Sequence, residues 1–131
     1  MKALIAAAVL LATPGFADSC WDHNGSLMRL SASGNQRVFT YENPREGMRR
    51  AGVTKGMVLF VGETNGSWYK GRSRVFDNRC DPMAIDYEVD GPVLQDPLRI
   101  VVMGMYDEYK NCRATGKMVF DRLQFTYVGQ C

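Results

Sequence analysis

The sequence predicts a small all-β domain, an antiparallel barrel or sandwich of about seven or eight strands with two disulfides. Turn-forming pairs recur about every 8–12 residues along the chain. The runs between them are short and rich in Val, Phe, Tyr, Leu and Met, and they lack the period of an amphipathic helix. The turn-forming pairs are Asn24-Gly25, Gly34-Asn35, Asn43-Pro44, Asn65-Gly66, Gly91-Pro92, Asp96-Pro97 and Thr115-Gly116.

Residues 1–17 have the composition of a cleaved secretory signal peptide. Lys2 gives a positive start, residues 3–12 are almost wholly apolar, and Ala17 is a small residue of the kind found before a cleavage site. The apolar run is too short to span a bilayer as a helix. We therefore expect residues 18–131 to form one exported bacterial domain, periplasmic or secreted, with no transmembrane segment in the mature chain.

The first half of this domain holds two predicted strands and a long loop. Residues 26–31 form the first strand, and residues 37–42 form the second, which Pro44 ends. Residues 44–55 have little strand character and are expected to form at most one helical turn, ended by Gly52.

The second half begins with the clearest hairpin, residues 56–63 and 67–77 around Asn65-Gly66. A short strand is expected over residues 86–90. Residues 98–106 are apolar on both faces and predict a central strand. Most of the methionines alternate into predicted strands and are expected to fill the core. A long last strand, residues 117–128, is expected to point Val119, Leu123, Phe125 and Tyr127 inward, with a bulge at Asp121-Arg122.

Four cysteines allow three disulfide pairings, and hairpin parity favours one of them. Cys80 follows one predicted strand, and Cys112 follows another, two strands later. In an up-and-down order these two loops lie at the same end of the sheet. The expected bridges are therefore Cys80–Cys112 and, by remainder, Cys20–Cys131.

The sequence predicts no enzyme, cofactor or metal site. His23 is the single histidine, and we expect it to be a turn residue that bonds within its own hairpin. There is no Gly-x-Ser-x-Gly nucleophile sequence, no phosphate-binding glycine loop, and no further ligand set beside the cysteines. The formal net charge of +2 gives no general case for nucleic-acid binding.

A row of basic side chains on one predicted strand is the main candidate binding surface. Alternation along residues 67–77 places Lys70, Arg72 and Arg74 on one face, with Trp68 and Phe76 at its ends. Such a stripe suits an anionic partner, or it is a solvated strand face whose charges deter edge pairing. A second basic cluster, which includes Arg49 and Arg50, lies in the long loop and offers further contacts.

Two short segments resemble the periplasmic and membrane-bound inhibitors of C-type lysozyme, which are small exported β-barrels. Ser31-Ala32-Ser33-Gly34 is similar to the serine loop of that family, and Trp68-Tyr69-Lys70-Gly71 is similar to its aromatic-x-Lys-Gly segment. The resemblance implies that Ser33 and Lys70 enter the lysozyme active-site cleft and bond its paired carboxylates. Here, however, Asn35-Gln36-Arg37 replaces the Ala-Arg-Tyr that follows the family's serine loop, and the two segments stand further apart.

Over its full length the chain looks like a group of small exported bacterial proteins of uncharacterised function. The pattern is Cys-Trp-Asp-His-Asn-Gly-Ser near the start, Asn-Pro-Arg-x-Gly-Met in the middle and Phe-Thr-Tyr-Val-x-x-Cys at the end. The hypothesis from sequence is a non-enzymatic binding protein whose partner is a lysozyme-like hydrolase or a cell-wall glycan. The alternatives are a small extracytoplasmic hydrolase and an envelope structural or stress factor without a pocket.

Overall fold

The computed structural model of the protein describes residues 18–131, so the predicted signal peptide lies outside the described residues. Eight antiparallel strands follow one another in chain order and close into a barrel, with β8 pairing with β1. The predicted all-β class is confirmed. The elements are β1 (Ser19–His23), β2 (Ser26–Ser33), β3 (Gln36–Asn43), α1 (Glu46–Arg50), β4 (Val58–Thr64), β5 (Trp68–Phe76), β6 (Ala84–Leu94), β7 (Arg99–Lys110) and β8 (Arg113–Gln130).

Large side chains fill the barrel interior. Phe39 and Phe125 stack at its centre with ring centroids 4.0 Å apart, and both are fully buried. Trp21 packs edge-on against Phe39 from the adjoining layer, with centroids 5.9 Å apart. Eight strands leave an interior that side chains can fill. In this barrel aromatic rings fill the interior, and the core is packed along the barrel axis.

The up-and-down order gives the barrel two distinct ends. The helix end carries α1 in the β3–β4 connection, the β5–β6 loop and the β7–β8 turn, whereas both described chain ends lie at the opposite, terminal end. Disulfides Cys80–Cys112 and Cys20–Cys131 form at the helix end and the terminal end respectively. Both predicted bridges are confirmed.

The sheet opens at the helix end, between β6 and β7. The ladder between these strands stops at the pair Val89 and Gly104. The backbones approach closely there, because a Cβ on Gly104 would lie 2.1 Å from the carbonyl oxygen of Glu88. Beyond this point β6 stays with β5, and β7 stays with β8. We call residues 105–120, the paired ends of β7 and β8, the β7–β8 arm.

The predicted bulge at Asp121-Arg122 is wrong. The pairing of β7 with β8 is regular across these residues, and its irregularity falls between Asp107 and Tyr109 instead. The prediction took the charged pair Asp121-Arg122 as the sign of an interruption in an otherwise apolar strand face. The carboxylate of Asp121 points inward nonetheless, since the Tyr87 hydroxyl donates a hydrogen bond to it. Tyr127 lies at the rim of the barrel and is 41% exposed.

The expectation that residues 98–106 form a strand buried on both faces is half wrong. Ile100, Val101 and Val102 are buried, but Met103 and Met105 face solvent. A closed barrel is a single sheet, so no second sheet covers its outer face, and Met103 and Met105 stay exposed there although Val101 on the same face is buried. The same reason exposes Met118, and these three methionines are not core filler.

Candidate functional site: a cleft between two hairpin arms

A cleft of about 850 Å³ occupies the opening between the β5–β6 hairpin and the β7–β8 arm. Val75, Ile85 and Val119 line its apolar part, and the β5–β6 loop with Pro82 and Met83 forms one side. The volume falls within the range of small-molecule sites, and the mouth of a β-barrel is a common place for such a site.

The Cys80–Cys112 disulfide forms part of the cleft wall and joins its two sides. Cys112 occupies the β7–β8 turn, where it and Asn111 both adopt positive φ angles, 63° and 53°. This conformation suits a two-residue turn between strands. The turn therefore projects the sulfur toward the β5–β6 loop, and the bridge fixes the separation of the two hairpins.

Charged groups surround the cleft mouth. The Arg79 guanidinium bonds Asp77 at 2.7 Å, and these hydrogen bonds lower the pKa of Asp77 to about 2. Glu108 and Lys110 line the opposite side, on the β7–β8 arm. The cleft thus combines an apolar interior with a polar rim, the arrangement that holds a small ligand and orients it.

Two tyrosines and a carboxylate connect the cleft to the barrel interior. Tyr106 lines the cleft, and its ring lies 5.0 Å from that of buried Tyr87, centroid to centroid. The hydroxyl of Tyr87 donates to Asp121. Burial raises the pKa of Tyr87, and the hydrogen bond to Asp121 raises it further. Burial also raises the pKa of Tyr106, with a smaller contribution from the Asp121 charge. Both hydroxyls therefore keep their protons at neutral pH and can act as donors.

The expectation that His23 bonds within its own hairpin is wrong. Its Nδ1 lies 3.0 Å from the carbonyl oxygen of Gln124 on β8, and its ring stacks on Phe125 with centroids 4.6 Å apart. The last residue of β1 points inward, so His23 is 8% exposed and reaches across to the neighbouring strand. Burial lowers its pKa. His23 is not among the residues that line the cleft, which gives no support to a histidine-dependent hydrolase.

The basic stripe on β5 faces outward as predicted, but β6 neutralises much of it. Arg74 and Arg72 lie 3.4 Å and 3.9 Å from Asp86, and Arg72 lies 3.6 Å from Glu88. Lys70 is paired in register with Asp90. Alternating charges across two strands form a solvated outer face rather than a uniformly positive surface.

The two aromatic residues at the ends of this stripe behave differently. Trp68 is 44% exposed, and its Nε1 donates to Asp90 at 2.9 Å. Phe76 packs inward against Tyr41, with centroids 6.2 Å apart, and lines the cleft. The predicted outward position of Phe76 is wrong. The last residue of β5 lies at the mouth of the barrel, where the Phe76 ring packs against Tyr41 and the core.

The predicted binding residues lie at opposite ends of the barrel. Ser33 and Lys70 belong to the terminal end, where cross-strand pairing links them in one row through Gln36 and Glu63. Arg49 and Arg50 belong to the helix end, in α1. Arg49 bonds the side chain of Asn43, and Arg50 lies 3.4 Å from Glu46, one helical turn away. The two sets cannot contact one small ligand together.

The described residues 18–131 contain no group of three or more His, Cys, Asp or Glu side chains arranged to hold a metal ion. Within the same range no helix is both long and apolar enough to cross a membrane. Two disulfides are typical of proteins in oxidising compartments outside the cytoplasm.

Sequence reasoning missed the cleft and its connection to the interior. The prediction noted Asp121 only as a bulge signal, and Tyr87 and Tyr106 only as strand residues. One signal was present: regular alternation through residues 117–128 puts Asp121 on the same face as Val119 and Leu123. An acid on an otherwise apolar strand face implies a buried partner or a polar cavity.

The fold and the cleft define a closed, up-and-down β-barrel with a ligand-sized opening at one end. The search of solved structures finds a barrel of this class, described as the "Crystal structure of rhizavidin-biotin complex". The TM-score is 0.55 at 15% sequence identity, over 88% of this chain and 94% of that one. No protein-family model matches the chain, and no curated protein matches it. The similarity shows the shared fold.

Proposed function

We propose that the protein is a non-enzymatic binding protein, and that it holds a small ligand with an apolar body in the cleft between the β5–β6 hairpin and the β7–β8 arm. The observation that carries the proposal is the cleft of about 850 Å³ at the open end of a barrel whose axis is otherwise filled. An apolar group would contact Val75, Ile85 and Val119, and polar substituents would meet the charged rim.

The structural neighbour supports this class of function. That structure is a complex with biotin, so a barrel of this fold can carry a small ligand. Biotin is therefore a sensible first probe, along with a general apolar probe such as 8-anilinonaphthalene-1-sulfonate. In this chain Tyr106, whose hydroxyl keeps its proton, is placed to donate a hydrogen bond to a ligand in the cleft.

The test fills the cleft with a side chain. We expect the wild-type protein to bind the dye saturably, with a rise in dye fluorescence, and Val119→Trp to abolish that binding. The control is Val61→Trp, because Val61 is 50% exposed on the outer face of β4, away from the cleft. Wild-type dye binding by Val119→Trp would show that the cleft is not the site. Calorimetric titration with biotin then asks whether the ligand of the neighbour is shared.

A second proposal is that the terminal end inhibits a C-type lysozyme through Ser33 and Lys70. The cross-strand row supports it, since it places both exposed residues on one rim, three strand spacings or about 14 Å apart. Glu63 lies between them in that row, and its carboxylate would oppose a carboxylate-lined cleft.

Inhibition of lysozyme is measured as slower lysis of bacterial cell walls. We expect wild-type protein to slow lysis and Lys70→Glu to remove the effect. Lys55→Glu is the matched control, because Lys55 is exposed at the helix end. Lysis at an undiminished rate in excess wild-type protein would refute this proposal and leave the cleft proposal untouched.

A further inference from the structure

Four apolar side chains form a patch on the outer face of β7 and β8. Phe120 is 61% exposed, Met118 53%, Met105 51% and Met103 37%. Pairing in register places Met105 of β7 beside Phe120 of β8. Met103 precedes Met105 on the same face of β7, toward the barrel, and Met118 precedes Phe120 on the same face of β8, toward the β7–β8 turn. The four therefore form one continuous surface rather than scattered exposed residues.

The position of the patch makes its exposure costly. Most of it lies on the β7–β8 arm, where β7 and β8 pair with each other beyond the end of the β6–β7 ladder. A ribbon of two strands is only marginally stable in water without an apolar face packed against something. Contiguous exposed apolar patches usually mark an interaction surface.

The charges around the patch indicate what covers it. Arg122 pairs with Met103 at one end of the patch, and Asp107 pairs with Met118 at the other end. Within residues 18–131 neither Arg122 nor Asp107 forms an ion pair. On β7 and β8 the patch thus carries a positive charge at one end and a negative charge at the other, with the Met105–Phe120 pair between them. Asp90 on β6 also lies beside Met103, but its carboxylate accepts a hydrogen bond from the Trp68 indole.

We propose that the patch binds a second copy of this chain, and that two β7–β8 arms pack face to face about a two-fold axis. The two-fold axis lies in the interface, perpendicular to the strands, and passes through the Met105–Phe120 pair. The cross-strand pair that contains Arg122 in one copy then faces the cross-strand pair that contains Asp107 in the other copy. The two-fold axis repeats this contact, so two Arg122–Asp107 pairs flank the apolar centre. A surface with opposite charges at its two ends is complementary to itself in this arrangement.

The patch is small for a stable dimer, which commonly buries about 800 Å² on each partner. We therefore expect a reversible dimer whose population rises with protein concentration. Sedimentation-velocity ultracentrifugation over a wide concentration range measures this directly, with protein expressed from the full-length sequence. The expected result is a mass that rises from one copy toward two. A monomer at every concentration overturns the proposal.

Variants then test the geometry. Phe120→Glu should leave a monomer, and Val61→Glu, which also places a charge on an exposed Val of the outer face, should associate like wild type. A dimer that survives Phe120→Glu overturns the proposal. Arg122→Asp and Asp107→Arg should each weaken association at least several-fold, and the two changes together should restore it. Failure of the double variant to recover association overturns the two-fold arrangement, and circular dichroism checks that each variant is folded.

Discussion

The hydrogen bond between Tyr87 and Asp121 allows a sharp test of the energetics inside the barrel. Tyr87→Phe keeps the ring and its contact with Tyr106 but removes the only atom that donates to Asp121 from this side chain. Tyr87 is 5% exposed and Asp121 is half-buried, so water replaces the lost donor only in part. Hydrogen bonds to a charged group contribute about 1.5–3 kcal/mol, and we expect Tyr87→Phe to lower the free energy of unfolding by about 2 kcal/mol.

The assay is urea denaturation at neutral pH, followed by circular dichroism. Tyr109→Phe is the matched control, because Tyr109 is 43% exposed and its hydroxyl can bond water. We expect the control to change stability by less than about 0.5 kcal/mol. A double-mutant cycle with Asp121→Asn should show that the Tyr87 effect shrinks when the charge is absent. An effect of Tyr87→Phe no larger than that of Tyr109→Phe would refute the reasoning.

Two further predictions concern pH and the disulfides. Burial holds the pKa of His23 below its ordinary value of 6.5. As the pH falls, the imidazole therefore takes up a proton in the unfolded chain before it does so in the folded protein. The free energy of unfolding should decrease below about pH 6.5, by at most about 1.4 kcal/mol per pH unit. Proton NMR of this single histidine checks the sign, and a titration at or above 6.5 would contradict it. Replacing Cys80 and Cys112 by Ser opens a loop of sequence separation 32 and should lower the free energy of unfolding by about 3–4 kcal/mol. The same change at Cys20 and Cys131, with separation 111, should lower it by about 5 kcal/mol. Urea denaturation without reductant measures both.

The succession of strands along the chain was predictable from sequence because turn-forming pairs separate them, whereas a barrel and a sandwich both remained open. Asn24-Gly25 has φ angles of 51° and 92°, the left-handed conformation that Asn and Gly tolerate best. Once consecutive hairpins are accepted, alternation of the loops between two ends makes Cys80 and Cys112 neighbours. Loop parity therefore favours Cys80–Cys112 without knowledge of any side-chain contact, and Cys20–Cys131 follows only as the remaining pair.

The cleft was not predictable because it depends on where a ladder stops. Local sequence shows that residues 84–94 and 99–110 can be strands, but not that they separate after Val89 and Gly104. The inward carboxylate of Asp121 was misread for a related reason. Whether an inward, half-buried carboxylate is tolerable depends on a partner 34 residues away in sequence, and periodicity carries no information about that partner.

The two proposals assign separable activities to the two faces of the β7–β8 arm. Along each strand, successive side chains point to opposite faces, so Tyr106 and Val119 line the cleft while their neighbours Met105 and Phe120 belong to the outer patch. A substitution on one face leaves the side chains of the other in place. Phe120→Glu should therefore abolish association without changing dye affinity in dilute protein, where the chain is monomeric. Loss of both activities in that variant would mean either that the arm had lost its structure or that the dye binds the outer patch. Circular dichroism of the variant and dye binding by the cleft variant Val119→Trp distinguish these two explanations.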